Sequence, residues 1–188
     1  YLIYFVLLIG KLTGQLSKKY EQQMLLRLKN RKQWWMEMHL KIWLECIGYL
    51  LVTAATFLIY AFCTKSAIEG INLKVLQDCL GLEINEKNLR IFSMVIVFFL
   101  ALLALAYIQY IVSLAINAVI GILFSIVILV SSVYQIHPFL IGNYFMCIRQ
   151  MMFAMDDVGF LTQGAVSVGI IFFMAVIGYQ ILKRKDLF

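Results

Sequence analysis

Between residues 91 and 134 the chain is apolar for about 44 residues, roughly twice the length that one membrane crossing requires. A run of that size exceeds any single buried helix, so it reads as two helices folded back on each other. The turn is expected within 109–117, where Gln109, Tyr110, Ser113 and Asn117 interrupt the aliphatic residues. The rest of the composition agrees: 63% of residues are hydrophobic, only 14% are charged, and mean hydropathy is +0.91. Soluble domains carry about 25% charged residues. The chain therefore reads as an integral membrane protein. Its net charge of +6 sits beside apolar segments, where membrane topology and lipid headgroups account for it, so no nucleic-acid partner is expected.

The expected fold class is all-α, a polytopic transmembrane helical bundle with five spans. Residues 1–9, extending to about residue 12, look like the tail of a truncated helix, and the chain opens without an initiator Met. The second span covers 42–63 and is broken by Glu45; two more lie in 91–134; the last covers 164–182. Segment 11–41 holds eight Lys/Arg against Glu21 and Glu37, and such a bias marks the cytoplasmic side. Lys183, Arg184 and Lys185 put the C-terminus on that side as well. Segments 64–90 and 135–163 then lie outside, the turn in 109–117 lies inside, and residue 1 starts outside. A cytoplasmic native N-terminus would add a sixth helix before Tyr1. No repeat or Pro/Gly-rich linker divides the chain, so 1–188 is read as one transmembrane domain. Segment 135–163 is aromatic and Met-rich around the only proline, Pro138, which suits a partly re-entrant outer segment. Segment 64–90 is expected to hold a short helix over 73–80, stopped by Gly81.

Motifs for a serine nucleophile elbow, a zinc protease or a Walker loop do not occur, so no catalysis, cofactor or metal is expected on this chain. His39 and His137 fall on opposite sides of the membrane in this topology. Asp156 and Asp157 read as solvated loop acids. Glu45 stands about a turn inside the second span, near Lys41 and Trp43; it is a candidate functional charge within the membrane, with snorkelling to the inner interface as the plainer reading. Cys46, Cys63, Cys79 and Cys147 lack metal-ligand spacing and are expected as free thiols, although Cys79 and Cys147 would share the outer side. Ser113, Asn117, Gly121 and Ser125 recur every four residues, a spacing that stacks small and weakly polar groups on one helical face. That face is expected to pack against protein, within the subunit or across a dimer.

The cytoplasmic segment carries an apolar stripe, Leu16, Tyr20, Met24 and Leu28 with Leu25 beside it, while Lys18, Lys19, Arg27 and Lys29 take other faces. Such a helix suits the membrane surface or a partner's groove. Asn30, Arg31 and Lys32 then mark a break, and Trp34 and Trp35 are expected to anchor the return to the bilayer interface.

The order Lys19-Tyr20-Glu21, Leu25-Leu26, Arg31 and Lys41 resembles the membrane subunit of ABC-2-type ABC transporters. In that family a cytoplasmic segment after the second helix carries a Glu/Tyr pair, here in the order Tyr20-Glu21, then a Leu pair, an Arg, and a Lys that opens the third helix. The tail Lys183-Arg184-Lys185-Asp186-Leu187-Phe188 is similar to the family's basic-acidic ending, and the outer segment 135–163 to its partly re-entrant one. The resemblance implies a six-helix permease in a bacterial plasma membrane. Its partners would be a second permease copy or paralogue and two cytoplasmic ATP-binding subunits that hold ATP and Mg. Segment 11–41 would be the coupling region, with Tyr20, Glu21, Met24, Leu25 and Arg31 contacting the ATPase. The cargo would be amphipathic: a peptide, bacteriocin, drug or lipid-like molecule moved outward. Two other classes compete with this reading. One is a non-transporting scaffold or immunity protein that binds a toxin or sensor; the other is an intramembrane enzyme, for which Glu45, His137 and Asp156 are the conceivable acids and bases.

Overall fold

The computed structural model describes residues 2–15, 31–63, 91–146, 149–150 and 159–184. Among them are five α-helices, α1 (Leu2–Gln15), α2 (Arg31–Cys63), α3 (Ile91–Ala115), α4 (Ala118–Tyr134) and α5 (Gly159–Arg184), and one 3-10 turn, η1 (Ile141–Phe145). No strand occurs among these residues. The helices expected over 16–28 and 73–80, Cys79 and Cys147, Asp156 and Asp157, and the tail beyond Arg184 lie outside the described residues.

The apolar run 91–134 does fold back on itself, but its break is confined to Ile116 and Asn117. Asn117 has an extended backbone, φ −164° and ψ 166°, and its side-chain oxygen accepts from Ile120 N at 2.8 Å. This is an N-cap, which satisfies one of the free amides that open α4. Gln109, Tyr110 and Ser113 do not interrupt anything; they lie within α3. Two of these side chains donate inside the bundle: Gln109 Nε2 to the Val6 carbonyl of α1 at 2.8 Å, and Ser113 Oγ to the Gln109 carbonyl at 2.7 Å.

A second departure concerns α2, which begins at Arg31, well before the expected start at residue 42. Trp34, Met38, Ile42, Cys46 and Tyr49 recur at intervals of three or four and are all buried. Such a stripe makes one continuous amphipathic helix with a single packed face. Trp34 and Trp35 are 2% and 8% exposed, so they are core residues of the bundle rather than anchors at its rim. The boundary moves because aromatic residues suit both settings, and here packing claims them.

Helix α3 is the centre. Every residue from Ala101 to Ile111 is buried, which over three turns means that the helix is covered on all sides. Its most extensive partners are α5 and α4, followed by α1, α2 and η1. The contacts give the path of the chain. Ser113 faces Gly121, so α4 returns antiparallel to α3. His39 pairs with Tyr107, and Trp43 with Phe99, so α2 is antiparallel too. Leu100 lies by Gly164 and Ile111 by Gly178, so α5 runs parallel to α3. The last turns of α1, α3 and α5 therefore share one end with the first turns of α2 and α4. Exposed Lys11 and Lys183 mark it, and we call it the basic end.

Three helices contain apolar stretches long enough to cross a bilayer: Lys32–Tyr60, Phe92–Ala115 and Gly159–Ile181. The expected five spans include α1 and α4 as well. The 17 residues of α4 measure about 25 Å, short of a hydrocarbon core of about 30 Å, and 14 residues of α1 are described.

Candidate functional site

Polar side chains held deep among these helices are the groups with chemical potential, and they form two clusters. In the half nearer the basic end, Tyr107 of α3 meets His39 of α2, with Tyr107 Oη and His39 Nδ1 2.8 Å apart. The phenol O–H donates to Nδ1 where that nitrogen is unprotonated and accepts from it where it is not. Trp35 closes the group, edge-on to His39 at 4.5 Å and 6.3 Å from Tyr110. Trp35 can approach this closely because Gly178 of α5 has no side chain: a Cβ there would lie 2.3 Å from the indole ring and 2.2 Å from Ile111.

On the opposite flank of α3, Gln109 is fully buried and ties α3 to the α1 backbone at Val6. Gly10 admits the contact, since a Cβ there would meet Ile122 at 2.5 Å and Gln109 Nε2 at 3.4 Å. Gln109 Oε1, Trp34 Nε1 and Gln163 Oε1 are buried and have no hydrogen-bond partner among the described residues.

The four residues expected to share a helical face are divided by the turn. Ser113 is on α3, Asn117 is the exposed cap, and Gly121 and Ser125 are buried on α4. The fourfold spacing does not stack them, because the break in the helix at Ile116 and Asn117 resets the helical phase. Ser113 and Gly121 nevertheless face each other across the α3–α4 contact. A Cβ on Gly121 would fall 2.0 Å from Ser113 Oγ and 2.8 Å from the Gln109 carbonyl oxygen, so the two backbones are as close as they can come. Ser125 Oγ donates to the Gly121 carbonyl at 3.1 Å.

At the other end of the bundle, Arg149 ties down the loop after α4. Its guanidinium donates to the Ser132 carbonyl, to the Val133 carbonyl at 2.8 Å, and to Asn143 Oδ1 at 2.5 Å. These carbonyls belong to the last turn of α4, which has no intrahelical donors left, so a cation is favoured there. Buried Asn143 completes the knot by donating to the carbonyls of Gln135 at 3.1 Å and His137 at 2.9 Å. Tyr144 donates to the Pro138 carbonyl, and η1 is locked against α3 by an edge-on contact between Phe98 and Phe145 at 5.5 Å. His137, at the edge of this knot, accepts from Phe139 N and is far from His39.

Comparison with family models, with curated proteins and with solved structures finds no match. The chain is a polytopic α-helical membrane protein. That statement rests on the three long apolar helices and on the covered centre of α3.

Of the expected coupling residues, Tyr20, Glu21, Met24 and Leu25 lie outside the described residues, and Arg31 opens α2. Glu45 is half-buried in the middle of α2, not near its start, and no ion pair forms to it among the described residues. Sequence reasoning missed Tyr107, Gln109 as a tie to α1, Gly10, Gly178 and Arg149. The two glycines carried a usable signal, because glycine within an apolar helix commonly marks a close approach of two backbones.

Proposed function

We propose that the chain is the membrane-spanning permease subunit of an ABC transporter, exporting an amphipathic substrate with ATP hydrolysed on partner subunits. The observation that supports this most is the set of polar side chains on the central helix. Tyr107 and Tyr110 of α3, with His39 against Tyr107, and Gln109 and Ser113 on its opposite flank all lie inside a multi-span bundle. A simple anchor has no use for such groups at membrane depth, where each costs free energy unless it is paired. A transport path has. In this reading the chain itself is not catalytic. Tyr20, Glu21, Met24, Leu25 and Arg31 receive the ATPase, a second permease copy or paralogue completes the path, and the C-terminus is cytoplasmic in a bacterial plasma membrane.

Affinity purification of the tagged full-length protein from its native membrane, with identification of co-purifying chains, is the first test. An ATP-binding subunit should appear, and the reconstituted assembly should hydrolyse ATP. In that assembly, changing Tyr20 and Met24 together to Asp should leave the helices inserted while uncoupling hydrolysis from transport. Purification as a chain with no ATPase under conditions that preserve a known ABC assembly would overturn the proposal.

A further inference from the structure

Glu45 lies far deeper than its place in the sequence suggests. It is about 21 Å along the axis from Arg31, the first residue of α2, at roughly 1.5 Å per residue. Trp43 stacks edge-on with Phe99 at 5.9 Å and His39 pairs with Tyr107; since α2 is antiparallel to α3, Glu45 lies at the height of residues 97–101, in the half of α3 away from the basic end. A glutamate side chain does not reach the basic end from there. A carboxylate at such depth is costly unless a cation or water meets it.

The cation does not come from the described residues. Lys41 is one turn toward the basic end, half-buried like Glu45, yet the two form no ion pair. Helical side chains lean toward the N-terminus, so the longer Lys41 side chain carries its ammonium away from Glu45. His39 Nδ1 is occupied by Tyr107. On a twofold axis along the membrane normal Glu45 would meet its own equivalent at the same depth, and like charges repel. The flank is open among the described residues. Gly48, one turn on and on the same face, has none of their atoms within 4 Å of the place a Cβ would take.

We infer that Glu45 is a binding site for the positively charged group of an amphipathic cation that reaches the bundle from the side of α2. This rests on the permease reading for its meaning as a substrate site, but not for its test. The ligand chemistry follows from the position: a permanent or protonated cation to meet the carboxylate, and an apolar body to lie along the apolar flank around Gly48.

The experiment uses the purified full-length chain in lipid nanodiscs, without any ATPase, and tetraphenylphosphonium as the probe. Saturable binding is expected. Glu45→Gln should weaken it about tenfold or more, as removal of one member of a buried charge pair does, and Glu45→Asp should weaken it less. In the unsubstituted protein the probe should protect Glu45 from dicyclohexylcarbodiimide, with the adduct located by mass spectrometry, a readout that does not depend on any variant folding. Equal affinity of the original chain and Glu45→Gln would overturn the inference. So would labelling of Glu45 that the probe leaves unchanged, the behaviour of a carboxyl that exchanges only protons. Since neither readout needs ATP, such a failure would leave the permease proposal to its own co-purification test.

Discussion

Residues 101–111 of α3 and residues 51–63 of α2 are apolar stretches of three turns or more, and their surroundings are opposite. Every residue of the first is buried. In the second, every residue whose burial is described is exposed except half-buried Thr53. Hydropathy does not separate them. Small residues do not either, since each stretch holds three alanines; what does is that α3 adds Tyr107, Gln109 and Tyr110, whereas α2 adds bulky Phe57, Leu58, Ile59, Tyr60 and Phe62. The two threonines of the α2 stretch satisfy themselves, Thr53 on the Tyr49 carbonyl at 2.6 Å and Thr56 on the Thr53 carbonyl at 2.7 Å. In a bilayer the surroundings are as apolar as leucine, so burying apolar area against protein gains little. Close backbone approach and hydrogen bonds between helices decide which surfaces meet.

If close approach decides, the largest effect belongs to Gly121. Leucine there drives its Cβ into Ser113 Oγ and the Gln109 carbonyl, and a backbone carbonyl cannot rotate away. Gly121→Leu should destabilise the fold by about 3 kcal/mol or more, at the upper end of overpacking costs. Val119→Leu, at a position 64% exposed, should be close to neutral. Reversible unfolding of the two variants in lipid-detergent mixtures measures the difference, and equal stability would remove backbone proximity as the explanation.

The next effect is expected at Arg149, where three acceptors converge on one guanidinium. Arg149→Ala should cost about 2 kcal/mol, the scale of charged hydrogen bonds. Arg149→Lys should recover only part of it, because an ammonium lacks the planar fork that spans several acceptors. Amide hydrogen exchange should speed up over residues 135–145 in both variants and remain unchanged in α1. Protection retained throughout Arg149→Ala would show that the loop is held by its apolar contacts alone.

A smaller effect separates hydrogen bonding from packing in the comparison. Tyr107→Phe keeps the ring and loses the link to His39; in membrane proteins such a bond contributes about 0.6 kcal/mol and rarely above about 1.7. A double-mutant cycle with His39→Phe should return a coupling of that size. Strict additivity would mean that the pair contributes shape only.

The same division explains which parts of the molecule could be read from residues alone. That 91–134 makes two helices follows from its length, which places the turn only within 109–117; the cap at Asn117 comes from the structure. The other polar residues of 109–117 misled, since Gln109 and Ser113 resemble loop residues until the α1 carbonyl and the adjacent turn that accept their protons are known. Trp34 and Trp35 carry no local mark that distinguishes a bilayer anchor from a core residue. The depth of Glu45 depended on the start of α2, and therefore on the buried stripe through Trp34 and Met38. The role of Arg149 requires knowing that the α4 carbonyls end within its reach, 16 to 17 residues back along the chain. The stripe of the coupling segment 16–28 falls outside the described residues.

The smallest effect is expected where the comparison began, in the half of α2 away from the basic end. Phe57 and Leu58 are each 64% exposed, so replacing either with Ala removes contacts with lipid and few with protein. In the purified chain each change should stay within about 0.5 kcal/mol, as at surface positions generally. The same measurement in the assembled transporter sharpens the contrast. If α2 faces lipid there too, the variants remain neutral. If a second permease covers this stretch, Phe57→Ala and Leu58→Ala will weaken assembly while leaving the isolated chain unchanged, and the exposure of residues 51–63 will then belong to the single subunit alone. A large loss already in the isolated chain would break the comparison itself, because it would require a protein surface over α2 that lies outside the described helices.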